Sequence, residues 1–298
     1  MFEFIICAIA GIGAGVATGF AGLSAAVYIS PILVTFLGIP SYEAIGIALA
    51  SDVLASGASS LTYYRHGNIN IKKCIPLLVS VISFTIIGSI VGYFFSSSDF
   101  GDTTMTYWTV IVSLGLGFRF LLRPVDNGGG HVFSEKVRTV AAILLGAYTG
   151  FLCGFQGTGG GMMMLFILTM VLGYALKTAV GTSVFIMTFT ALIGAISHFA
   201  INGMPGIRRL VICVIFTLIA AQISASLANK IRVSSCNLII GVLLAVSGVI
   251  MLLINLSETG FVGIDTPMLV GIGLGAVAVI LMILLFEIKR LKGKDGKE

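Results

Sequence analysis

The sequence predicts an all-α polytopic membrane protein built from two inverted-topology repeats, each a glycine-rich broken-helix hairpin plus three transmembrane helices, with one extra C-terminal transmembrane helix. Three observations carry this prediction. Hydrophobic residues make up 57% of the chain and charged residues only 10%, and the mean hydropathy of +1.10 calls for a solvent other than water around most of the surface. Many apolar stretches run unbroken for roughly 20 residues, enough to span about 30 Å of hydrocarbon as a helix, and they lack the alternation of barrel strands. The pattern of stretches then occurs a second time.

In chain order the apolar segments are A (Phe4 to Thr18), B (Ala25 to Gly38), C (Tyr42 to Tyr64), D (Ile75 to Phe95) and E (Met105 to Leu122). The second set is A′ (Val137 to Cys153), B′ (Gly160 to Gly173), C′ (Lys177 to Phe199), D′ (Leu210 to Leu227) and E′ (Ser235 to Leu256), and segment F (Pro267 to Phe286) follows. A shift of 135 residues places Gly11, Gly15, Gly19, Phe20, Gly22, Gly38, Ala44 and Gly46 on Gly146, Gly150, Gly154, Phe155, Gly157, Gly173, Ala179 and Gly181. Such a register marks an internal duplication. The expected organisation is a first repeat over 1–124, a cytoplasmic linker over 125–136, a second repeat over 137–258, and the extra helix with a basic tail over 259–298.

Lysine and arginine collect in cytoplasmic loops. Counting alternate loops puts fifteen of the seventeen basic residues on one side, including Lys72, Lys73, Lys136, Arg138, Lys177 and the tail "EIKRLKGKDGKE"; only Arg208 and Arg209 fall on the other. The C-terminus is therefore expected in the cytoplasm and the N-terminus outside an inner-membrane protein. Segment A then starts outside and A′ inside, which makes the duplication inverted.

Segments B and B′ are too short to cross. At 1.5 Å per residue, 14 residues reach roughly 21 Å, so A–B and A′–B′ read as hairpins entering from opposite faces, with "GFAGLSAA" and "GFQGTGGG" as tips near the middle of the membrane; complete, tilted crossings are the open alternative. Non-helical backbone at that depth must be enclosed by protein or line a cavity. Each tip precedes a helix start whose N–H groups carry partial positive charge, and glycine lets a ligand approach those amides closely. The expected partner is a small anion. Gly22, Ser24, Gln156, Gly157, Thr158, Gly159 and Gly160 are its candidate ligands, and Thr182 and Ser183 are candidate hydroxyl donors. Gly11, Gly15 and Gly19, with Gly146, Gly150 and Gly154, recur every four residues and suit close helix packing instead.

The repeated Gly-Phe-x-Gly of both tips, a short apolar helix, Gly38 or Gly173, and then "EAIGIALASD" or "KTAVGTSVFI" resemble the sulfite exporter TauE/SafE family of anion permeases. The resemblance covers both halves and implies a secondary transporter exporting or importing sulfite or a small organosulfonate. The first half departs from the family's glycine cluster with Ser24, Ala25 and Ala26.

Asp52, near the middle of segment C, is the one carboxylate deep inside an apolar segment. An ionised carboxylate there must be partnered, hydrated or protonated. Two readings stay open: a proton-coupling residue that offsets the anion's charge, or a structural aspartate capped by Ser51 or Ser56. Its counterpart by the 135-residue shift is Met187. Tyr63 and Tyr64 read as interfacial anchors and His198 as a packing histidine. The cysteines, at 7, 74, 153, 213 and 236, lack metal-ligand spacing and read as small apolar residues. The start "MFEFIICAIAG" lacks the pattern of a cleaved signal peptide. "GIGLGA" at Gly271 has no βαβ context and "GTGGGM" lacks the end of a P-loop. No metal, cofactor or nucleic-acid partner is expected, and an enzyme is disfavoured against a carrier; a channel, or a carrier of sulfate or a small carboxylate, remains the alternative.

Overall fold

The computed structural model describes residues 2–95, 134–156 and 160–258, with isolated positions between 111 and 122 and between 275 and 285. The described elements are helices: α1 (Phe2–Ala21), α2 (Ala26–Leu37), α3 (Ser41–Arg65), α4 (Ile71–Phe95), α5 (Glu135–Gln156), α6 (Gly161–Phe166) continued by a π turn (Ile167–Val171), α7 (Leu176–Asn202), α8 (Ile207–Lys230) and α9 (Val233–Glu258). Seven of these are long and apolar enough to cross a membrane. The 12 residues of α2 reach only about 18 Å, so the shortness of segment B is real. Most of the linker and almost all of segment F lie outside the described residues.

The outer surface carries large apolar side chains, while a set of small polar ones is buried within an otherwise apolar core. Val211, Ile215, Ile219 and Ile223, one stripe along α8, are each about half exposed, whereas Thr18, Ser24, Asp52, Ser56, Thr182 and Ser183 are buried. Apolar side chains turned outward against polar ones turned inward are the signature of a lipid-facing bundle, and the protein is a multi-pass membrane protein.

By contacts the chain divides into residues 1–98 with 127–229, and residues 99–126 with 230–298. In the first unit the helices are cut to a repeated pattern. Adding 135 to the bounds of α1, α2 and α3 gives α5, α6 with its π turn, and α7 to within two residues, and adding 136 to the start of α4 gives that of α8. Left-handed glycines close the matching joints: Gly38 and Gly173 (φ +62° and +66°) after the short helices, Gly67 and Gly203 (φ +71° and +81°) after the long ones.

The repeats exchange partners. Gly11, Gly15 and Gly19 of α1 face Cys213, Thr217 and Ala221 of α8; their counterparts Gly146, Gly150 and Gly154 of α5 face Leu77, Val81 and Thr85 of α4. Residue numbers rise together in both pairs, so these helices run parallel. In the middle, Gly46 meets His198 and Phe199, Leu49 meets Gly194, Gly57 meets Thr188, and Tyr63 meets Gly181. Here numbers rise on α3 as they fall on α7. α3 and α7, which correspond in the two repeats, are thus antiparallel.

In the second unit Leu121, Gly117 and Leu114 pack against Gly241, Ala245 and Gly248 of α9, again antiparallel. An added Cβ on Gly117 would stand 2.6 Å from the Ala245 amide nitrogen, so this pair also depends on glycine for its closeness.

The packing glycines make a direct test. A side chain at Gly15 or Gly150 would collide with partner backbone, whereas a Cβ at Gly13 meets nothing within 4 Å. Gly15→Val and Gly150→Val should each cost about 1–3 kcal/mol by overpacking, and Gly13→Ala should be neutral or stabilising by up to about 1 kcal/mol; thermal unfolding in detergent reads the difference.

Candidate functional site

The first glycine turn begins where α1 stops. Gly22 takes φ +64°, its N–H donates to Thr18 O at 2.9 Å, and the chain reverses into α2 within four residues. The hydroxyl of Thr18 spans the break, lying 2.9 Å from Ala14 O and 2.8 Å from Leu23 O, and its single proton donates to one of them at a time.

A helix start buried in a membrane protein must satisfy its first amides. At α2 the donors are accounted for. Ala25 N–H donates to Asp52 Oδ1 at 2.6 Å, Ala26 N–H donates to Ser24 Oγ at 3.2 Å, and Val27 N–H donates to Ser24 O at 3.3 Å. Ser24 Oγ–H donates to Asp52 Oδ2 at 2.5 Å. Both carboxylate oxygens are therefore engaged with the turn, and Asp52 is wholly buried. Asp52 is the twelfth of 25 residues in α3, so the turn it holds lies at the helix's mid-depth.

This arrangement changes the expected role of the α2 start. The carboxyl group of Asp52 takes the amide that an external anion would need. The caps proposed for Asp52 also differ. Ser51 Oγ–H donates to Ile47 O at 2.8 Å and Ser56 Oγ–H to the backbone carbonyl of Asp52 at 2.5 Å, each serving its own helix, while Ser24 from another helix holds the carboxylate.

The second turn meets the first. Gly160 (φ +68°) precedes α6, and Gly161 lies against Gly22 O, Leu23 Cα and Ser24 N; a Cβ there would come 3.0 Å from the Ser24 amide. Ser183, from α7, sits between them with Oγ 3.4 Å from both Gly22 O and Gly161 O. Gly22, Ser24, Asp52 and Ser183 thus come together, with Gly160 one residue from the contact. Its neighbour Gly161, part of the same glycine run that departs from the packing period of four, is the residue that makes the contact. Met187, the counterpart of Asp52, is buried and has no carboxylate to offer α6. Thr182 points elsewhere: its Oγ1 accepts from Asn70 N–H at 3.3 Å in the α3–α4 loop. Gly157, Thr158, Gly159 and the side chain of Gln156 lie outside the described residues.

The two ends of α3 and α7 differ. At one end Arg209 bridges Glu3 (2.6 Å) and Glu43 (3.0 Å), Gly206 N–H donates to Glu43, and a cavity of about 120 Å³ opens between Glu43, Gly46, His198 and Gly203 to Gly206. His198 packs its ring against Gly46, as expected of a packing histidine, and also borders this cavity. At the other end Gly181, the counterpart of Gly46, is covered by Asn68 and Tyr63. Tyr63 is not an interfacial anchor. It is 1% exposed and donates to Gly19 O at 2.8 Å, while Tyr64 is exposed. Asn68 Nδ2 donates to Asn229 Oδ1 at 2.6 Å and Lys177 Nζ to Asn229 O at 2.8 Å. Glu3, Glu43 and Arg209 thus group at one end and Asn68, Lys177 and Asn229 at the other.

The cysteines are free and buried, and the described residues contain no cluster of His, Cys, Asp and Glu able to hold a metal ion. Chemically, the turn gathers amide and hydroxyl donors around one buried carboxyl group. Asp52→Ala, which orphans the Ala25 amide and the Ser24 hydroxyl, should lower stability by about 1–3 kcal/mol; Asp52→Asn keeps an acceptor oxygen and should lose less, and a thermal melt of the two variants separates them.

The sequence model of the sulfite exporter TauE/SafE family matches residues 7–251. The chain is 24% identical over 214 residues to the probable membrane transporter protein YunE of Bacillus subtilis, covering 66% of this chain and 78% of that one. It is 27% identical over 219 residues to YdhB of the same organism, named likewise, covering 72% and 86%. A probable membrane transporter protein of Methanocaldococcus jannaschii is 25% identical over 276 residues, covering 85% and 98%. No solved structure matches the chain. A family match over most of the length, joined to an apolar-surfaced helical bundle with two glycine turns meeting inside it, makes this protein a membrane transporter belonging to the TauE/SafE family.

Proposed function

We propose that the protein is a secondary carrier, not an enzyme, that moves a small oxyanion, sulfite or an organosulfonate, across the cytoplasmic membrane by alternating access, with protons as the coupling ion. The N-terminus lies outside and the C-terminus in the cytoplasm. The observation that carries this reading is the meeting of the Gly22–Ala25 and Gly160–Gly161 turns beside Asp52 and Ser183. The family supplies the sulfur chemistry, and the helix geometry supplies the anion logic.

Asp52 acts as a tethered anion. While ionised it occupies the Ala25 N–H and the Ser24 hydroxyl. A proton arriving on Asp52 removes the charge that those donors favour, and an incoming oxyanion takes them instead. Proton and anion then travel together, which spares the interior an unpaired charge in either state. The unequal ends of α3 and α7 support alternation: the Gly46–His198 end holds the cavity, while Tyr63, Asn68, Lys177 and Asn229 close its counterpart.

Uptake into proteoliposomes under an imposed pH gradient, comparing sulfite, sulfonates, sulfate and carboxylates, tests the reading. Sulfite or a sulfonate should accumulate against its gradient, and Asp52→Asn should abolish the pH dependence of flux; accumulation of none of these anions, or an unchanged pH profile in the variant, overturns transport or coupling respectively. Joining Asn68→Cys to Asn229→Cys by oxidation should block uptake, with recovery on reduction, if that end must open.

A further inference from the structure

The repeat register reveals a missing charge. At one end of the first unit Glu3, Glu43 and Arg209 form a closed ion-pair group. The register places Arg138 at the position of Glu3, Thr178 at that of Glu43, and Lys73 at that of Arg209. Two bases and a hydroxyl thus stand at the positions where the other end has two acids and a base. Arg138 also lies in the first turn of α5, where its positive charge meets the positive end of the helix dipole.

The side chains register the deficit. Arg138 donates from Nη1 to Leu172 O at 3.3 Å, yet its Nε is buried without a hydrogen-bond partner, and so is the hydroxyl of Tyr174, two residues beyond Leu172. Buried donors are ordinarily paired, and a guanidinium nitrogen all the more so. Burial pushes the Tyr174 hydroxyl up to about 12, so it stays an O–H donor across the physiological range. A planar guanidinium and a phenol offering hydrogens from adjacent elements match an oxyanion with several acceptor oxygens.

We propose that Arg138 and Tyr174 form a binding site for a phosphate-class oxyanion, separate from the glycine turns, at the junction of α5 with the segment between the π turn and α7. The site adjoins lipid: Val137 and Val140, on either side of Arg138, are each more than half exposed, and basic pockets between membrane helices receive anionic headgroups. The ligand's oxygens accept from Arg138 Nε and Tyr174 Oη, and its charge replaces the acid that Glu3 supplies at the opposite end.

The test uses purified full-length protein in detergent, with thermal unfolding followed on addition of phosphatidylglycerol, phosphatidylcholine or inorganic phosphate. Phosphatidylglycerol should raise the wild-type midpoint by about 2–4 °C and phosphatidylcholine should not; Arg138→Gln and the near-isosteric Tyr174→Phe should each lose at least half of the shift. The same shift from inorganic phosphate alone supports the site and assigns it to a soluble oxyanion rather than a headgroup. An equal shift in wild type and both variants, or no shift with either phosphatidylglycerol or phosphate, overturns the proposal. Counting phosphatidylglycerol retained by wild type and Tyr174→Phe in native mass spectrometry gives a second readout independent of stability, with equal retention counting against the site.

Discussion

Peptide groups inside a membrane protein cannot borrow water, so a chain that breaks its helix at mid-depth must find each freed amide a partner within the fold. Here that partner is Asp52. Its two oxygens hold Ser24 and Ala25, and without them the reversal between α1 and α2 would leave donors stranded beside Gly22. The same bond explains why a lone carboxylate is tolerated in the middle of α3: burying it is costly in isolation, but two charge-assisted hydrogen bonds and the positive end of α2 face it. Turn and carboxylate stabilise each other.

That turn is held in place by glycine faces that let helices exchange between halves. α1 packs on α8 and α5 on α4 through backbone-to-backbone approach at Gly15, Gly19, Gly150 and Gly154, so the hairpin of each repeat is braced by the last long helix of the other within the first unit. Between these pairs α3 and α7 cross in opposite directions, and Ser183 on α7 reaches both the first turn, which Asp52 on α3 secures, and Gly161 of the second. The packing of the duplicated halves is therefore what brings the two glycine turns together.

Symmetry in the backbone does not extend to the chemistry. Asp52 corresponds to Met187, and the acid–base cluster of Glu3, Glu43 and Arg209 corresponds to Arg138, Thr178 and Lys73. The two repeats share a backbone frame, but only the first glycine turn is held by a carboxyl group.

Much of this architecture was legible in the sequence, since lipid enforces long apolar runs and an internal repeat aligns its glycines whatever their packing partners. The existence of the long apolar helices, the shortness of segment B and the packing role of Gly15 and Gly150 follow from local rules. Partners across the chain did not. Ser24 and Asp52 lie 28 residues apart, Tyr63 and Gly19 lie 44 apart, and nothing in either neighbourhood distinguishes a carboxylate capped by its own helix from one capping another, or an anchoring tyrosine from a locking one. Composition and periodicity determine which elements form and which face each buries; only the docking of those elements decides which polar groups meet, because a hydrogen bond depends on proximity in space that sequence distance does not encode.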